Sequence, residues 1–195
     1  MRMATRGELK DAGDWTHQYG DAANTCCSSD SLLRGPLGIA WFNDLEFTMP
    51  SRHGRGPAPL FYKGLLFVEG MHGMRCVDAY NGRSLWNHSL PEILQPYDGE
   101  HLMGVSGTGS NICVGEAGLF IRMEDKCLRL DPGTGKVLAT FAPPRRPDGK
   151  ADRWGIVACA GKSLIGSLAN TEHTVTYRYR PGDMRQQWTE SDLLF

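Results

Sequence analysis

Three short stretches of the chain concentrate groups able to bind or move charge. Ser51-Arg52-His53-Gly54-Arg55-Gly56 sets two guanidinium groups and an imidazole among glycines. Guanidinium forks match carboxylates and phosphates, so Arg52, His53 and Arg55 suit an anion clamp. Tyr97-Asp98-Gly99-Glu100-His101 sets two carboxylates beside an imidazole. Asp98, Glu100 and His101 could take a divalent cation or relay protons. Arg52, His53 and Arg55 also fit ion pairs between neighbouring repeat units and loop anchoring, and Asp98, Glu100 and His101 fit loop-capping hydrogen bonds, roles that serve structure alone. The glycine-rich run at 104–111 lacks the lysine of a phosphate-binding P-loop and no helical pattern follows it, so it reads as a turn entering a strand. The cysteines at 26, 27, 76, 113, 127 and 159 match neither zinc nor haem spacing and read as small buried hydrophobes. His17 and His88, in or beside strands, read as structural. No nucleophile–base pair, metal-ligand set or cofactor fingerprint emerges along the chain.

Composition limits what can position these groups. The chain has 195 residues, the size of one domain or two small ones. Its 24 glycines are about 12% of the chain against a usual ~7%, and with 11 prolines they call for many tight turns and short strands rather than a helical bundle. A net charge of 21 − 22 = −1 offers no basic patch for nucleic acid. No run approaches the ~18 apolar residues of a membrane span. The first ten residues carry charge without the apolar core of a secretory signal.

The chain also repeats itself. Gly64-Leu65-Leu66-Phe67-Val68, then Met74 through Asp78, Gly82 and Trp86, aligns with Gly118-Leu119-Phe120-Ile121-Arg122, then Cys127 through Asp131, Gly135 and Ala139. In each unit short apolar runs are bounded by turn residues, and an Asp and a Gly frame one turn: Asp can bond the backbone ahead of it and Gly accepts positive φ. Each unit reads as four antiparallel strands, which repeated make propeller blades. A third unit starts near residue 154, continues through a polar insertion over 171–192 and lacks its own Asp–Gly turn. Residues 37–42 read as a lone outer strand. The expected organisation is a lead-in over 1–36, then blades at about 57–90, 110–142 and 154–195, the last incomplete.

Four-stranded meanders put the long connections 48–57, 91–111 and 143–154 on one face and tight turns on the other. Long loops on a rigid scaffold concentrate binding groups. The expectation is that 51–56 and 97–101 meet near the axis, with at least one Arg–carboxylate contact.

The Asp-x-x-x-Gly-x-x-x-Trp spacing at Asp78, Gly82 and Trp86, with Asp131, Thr134 and Gly135, resembles pyrroloquinoline-quinone-like (PQQ-like) repeats. These occur in quinoprotein alcohol dehydrogenases and in the propeller lipoprotein of outer-membrane barrel assembly. The opening from Asp14 to Thr25 is similar to the lead-in of bacterial proteins of this kind. Ala139 departs from the pattern, standing where the repeat usually has Trp. The resemblance implies an all-β, incomplete β-propeller of about three four-stranded antiparallel blades, a fragment of a longer chain, and an extracytoplasmic location. Quinoproteins of this family carry a vicinal disulfide against the quinone, which draws attention to Cys26-Cys27. The accompanying Glu, Asn, Asp and Trp residues that contact calcium and quinone have no match here. The favoured expectation is therefore a non-catalytic binding or scaffold module, engaging a protein, peptide or cell-envelope ligand through the loop face. The alternative is a PQQ- and calcium-dependent oxidoreductase with its catalytic residues in further blades.

Overall fold

Apolar–polar alternation and Asp–Gly turns produce strands where the repeat places them. The computed structural model describes residues 9–43, 57–70, 72–91, 93, 111–123, 125–143, 145 and 154–168, and the backbone of 174–178 and 185–189. The first unit is a meander of β1 (Leu60–Tyr62), β2 (Leu65–Gly70), β3 (Gly73–Asp78) and β4 (Ser84–Ser89), paired in that order. The second repeats it with β5 (Ile112–Gly115), β6 (Gly118–Arg122), β7 (Cys127–Leu130) and β8 (Val137–Phe141). β9 (Trp154–Ala160) and β10 (Ser163–Leu168) form a two-stranded sheet, and β11 (Thr174–Arg178) pairs only with β12 (Arg185–Thr189). The described residues contain no helix, and every sheet is open and antiparallel.

Three readings change. Cys26 and Cys27, expected with the other cysteines to be buried, are exposed. The segment taken as a polar insertion contains the β11–β12 hairpin. Residues 37–42 are not a strand: their backbone pairs with nothing described, and Leu37, Ile39 and Phe42 are exposed. The apolar run is present there, but among the described residues no edge completes the backbone hydrogen bonds that a strand needs.

The central sheet is buried on both faces, and strand alternation sorts its side chains. Ile112, Val114, Leu119, Ile121, Leu128 and Leu130 join Leu60, Phe67, Met74 and Cys76 in one core between the first two sheets. Cys113, Phe120 and Cys127 turn the other way, into a core with Trp154, Val157 and Cys159 of β9. Period-two side-chain direction makes each face of this sheet a separate core.

Tryptophans pin the units together. Trp41 donates Nε1 to Ala79 O at 2.8 Å, and Trp86 donates Nε1 to Pro132 O at 2.9 Å. Each indole lies on the glycine of an Asp–Gly turn: a Cβ on Gly82 would sit 2.5 Å from Trp41, and one on Gly135 2.7 Å from Trp86. Both glycines have positive φ, 72° and 70°. The Asp78 carboxylate accepts from Tyr80 N, and the Asp131 carboxylate from the backbone and hydroxyl of Thr134, which also holds the Asp131 carboxyl below its usual range. Ala139 leaves no such indole for the third sheet; there Trp154, on β9, donates Nε1 to Phe141 O at 3.3 Å instead.

Gly135→Ala combines a left-handed backbone with a Cβ only 2.7 Å from the Trp86 ring, so it is expected to lower unfolding free energy by about 1–3 kcal/mol in urea melts. Gly133→Ala, whose Cβ would meet only Asp131 Oδ1 at 3.6 Å, is the matched control, expected within about 0.5 kcal/mol of the parent. Equal losses at the two positions would remove the docking role of Gly135.

Candidate functional site

The six loop residues singled out from the sequence, Arg52, His53, Arg55, Asp98, Glu100 and His101, lie outside the described residues, as does the expected Arg–carboxylate contact between their segments. Among the described residues, chemistry gathers along the inner strands, where a short lead-in strap crosses three sheets in succession. Trp15 and Phe61 of β1 exchange both backbone hydrogen bonds at 2.8 Å. Thr16 O then accepts from Val114 N of β5 at 3.0 Å, and the His17 ring accepts from Cys159 N of β9 at 3.0 Å. Gln18 Oε1 accepts from Ala58 N, and Asp14 Oδ1 from Lys63 N. A turn closed by Thr16 N to Gly20 O and by Gly20 N to His17 O reverses the strap beyond His17.

His17, Cys113 and Cys159 form a buried cluster whose nitrogen and sulfur donors all lie within 4.8 Å of one another. His17 Nε2 is 3.8 Å from Cys159 Sγ. Because Nε2 accepts the Cys159 amide proton, the ring proton is assigned to Nδ1, which lies 2.8 Å from Thr16 Oγ1. The Cys113 thiol donates to Cys159, which pulls the Cys159 thiol below its ordinary range against the opposing effect of burial, while Cys113 itself is pushed up. Burial, joined at Cys76 by the Asp78 charge and opposed at Cys127 by the Ile121 backbone and the Arg122 charge, pushes both thiols up to about 12. Those two thiols are therefore inert packing groups, whereas the pair beside His17 is electronically distinct.

A second polar cluster sits where β2 approaches the start of β5. Glu69 is 1% exposed and lies on the same face of β2 as Phe67. Its Oε1 accepts from Asn111 Nδ2. Glu69 Oε2 and Asn111 Oδ1 have no partner among the described residues. Burial raises the Glu69 carboxyl to about 8, outweighing the Asn111 hydrogen bond and the charge of Arg122. Near neutral pH it is a protonated acid, able to donate a hydrogen bond as well as accept one.

No family model matches this chain, and no curated protein matches it. The quinone suggested by the resemblance finds no fit in the lead-in. Cys26 and Cys27 are separate exposed thiols, and the neighbouring Asp21 carboxylate is spent on Ala23 and Thr25 of its own loop. A cleft of about 410 Å³ between the second and third sheets opens near the β5–β6 and β9–β10 turns and carries Glu116, Arg129 and Lys162. His88, read as structural, hydrogen-bonds Gly135 O and packs edge-on against Trp86.

Sequence reasoning passed over Glu69 and the His17 cluster. An acid inside the run Leu65–Gly70 was the available signal for the first; the second joins residues 142 positions apart and leaves no local trace.

A carboxyl raised on folding binds its proton more tightly in the folded state than in the unfolded one. Its contribution to stability is fully present below about pH 4.5 and is lost as pH rises toward about 8. Urea melts across that window should show stability falling by up to about 1.4 kcal/mol per pH unit from this group. Glu69→Gln keeps a donor and an acceptor without titrating, so it should flatten that slope and stabilise the protein near pH 8. An unchanged slope in the variant would assign the pH dependence to other groups.

Proposed function

We propose that this chain is a stretch of β-propeller built from PQQ-like repeats and serves as a non-catalytic binding or scaffold module. The observation that carries this reading is the recurrence of one joint: Trp41 and Trp86 each dock on the glycine of an Asp–Gly turn in the sheet that follows. Trp86 makes this joint between the two four-stranded units, and Trp41 makes it between the segment before them and the first unit; a joint of one kind at successive sheets is what a propeller uses to fix their relation. The packing of β5 against both β1 and β9 supports the same arrangement, with first strands side by side.

Segments 51–56 and 97–101 lie in the connections leading to β1 and β5, so a propeller brings both to the mouth of its axis. On this reading Arg52, His53 and Arg55 would offer donors to carboxylate or phosphate at that mouth, and Asp98, Glu100 and His101 would belong to the next connection. The ligand this favours is a protein, peptide or cell-envelope component bearing acidic groups. No helix among the described residues is long and apolar enough to cross a membrane.

A panel of acidic, neutral and basic peptides, titrated against the whole chain by fluorescence anisotropy, tests the reading. Acidic peptides are expected to bind best, and Arg55→Ala with His101→Ala should weaken them about tenfold or more without changing the far-ultraviolet β-sheet spectrum. Absence of any preference for acidic peptides, or alcohol or sugar oxidation after addition of PQQ and calcium, would overturn it.

A further inference from the structure

We infer that His17, Cys113 and Cys159 form a binding site for one thiophilic closed-shell cation, Zn²⁺, which would clamp the lead-in strap to the second and third sheets. The three donors come from three separate elements, and all three residues are buried. Zinc–sulfur bonds of ~2.3 Å and zinc–nitrogen bonds of ~2.0–2.1 Å, at trigonal to tetrahedral angles, separate the two donor atoms by about 3.6–3.8 Å. His17 Nε2 and Cys159 Sγ stand 3.8 Å apart, the separation that one shared ion requires, and the ion would take the Nε2 lone pair from the Cys159 amide.

The surroundings suit the ion as well as the donors do. Thr16 Oγ1 holds the Nδ1 side of the ring, as an outer partner of a metal-bound imidazole does, and leaves Nε2 facing Cys159. Binding releases one proton from each thiol, and two thiolates with a neutral imidazole balance Zn²⁺ to zero charge. Neutrality matters because Phe120, Trp154 and Val157 make the surrounding core apolar. A monovalent copper ion on two thiolates would instead leave a negative charge there. The Cys159 amide, which now bonds Nε2, sits beside its own sulfur and can donate to the thiolate once the ion takes the lone pair.

The test uses the reduced, chelator-treated whole chain carrying Cys26→Ser and Cys27→Ser, which removes the exposed thiols. Titration with Co²⁺ is expected to give one equivalent of thiolate-to-metal charge-transfer absorption, displaced by one equivalent of Zn²⁺. X-ray absorption of the zinc-loaded protein should show two sulfurs at about 2.3 Å and one imidazole nitrogen at about 2.0–2.1 Å. Cys113→Ala and His17→Gln should each weaken binding at least tenfold; should either fail to fold, the absorption data on the parent decide. Thermal melts should rise with Zn²⁺ concentration, since the ion binds the folded chain. No charge-transfer band, or a zinc shell of oxygen and nitrogen alone, overturns the site.

Discussion

The structure depends on a five-residue strap. Open sheets expose unpaired backbone groups along their edges, and each such edge must be paired, covered or left to water. Residues 14–18 meet that requirement on the first two sheets with backbone bonds at Phe61 and Val114, and reach the third with a side chain at Cys159. The change from backbone to side chain at His17 follows from the turn over residues 17–20, which carries the main chain away before β9 is reached. An imidazole long enough to span that gap, with an acceptor at its tip, completes the line.

Local chemistry was the legible part of the sequence. Asp78–Gly82 and Asp131–Gly135 form the turns their residues predict, because an Asp acceptor and a positive-φ glycine act within a few positions of one another. Four-stranded order in the first two units followed from those turns and from alternation. Failures came where the outcome rested on distant partners. Residues 37–42 carry the pattern of a strand, yet a strand exists only when another edge receives it. Only Trp41 of that segment found its place, by way of Ala79 and Gly82. The His17 cluster was read as unrelated packing residues, since nothing in the spacing of 17, 113 and 159 announces proximity. The loop residues chosen for binding were selected by type and topology, and their geometry lies beyond the described residues.

The two faces of the central sheet have different chemical characters. Toward the first sheet the core is mainly aliphatic and contains a protonated acid at its end; toward the third it is smaller and rich in sulfur. Alternation along β5 accounts for this, since Ile112 and Val114 point one way and Cys113 the other. A single-residue slip of this strand would exchange the two sets and place Cys113 among the aliphatic groups. Thr16 O, bonded to Val114 N, helps hold the register at that point.

The strap also sets an order of events on the ribosome. Its residues are made before the sheets they bind, and the amide from which His17 accepts belongs to a residue made 142 positions later. Trp15 can pair once Phe61 is available and Thr16 once Val114 is, so the segment closes in steps while synthesis proceeds. Until β9 appears, the imidazole and the Cys113 face of the sheet remain open to solvent or to a chaperone. A nascent chain paused between the second and third sheets would therefore expose a sulfur-lined apolar surface that the finished chain hides.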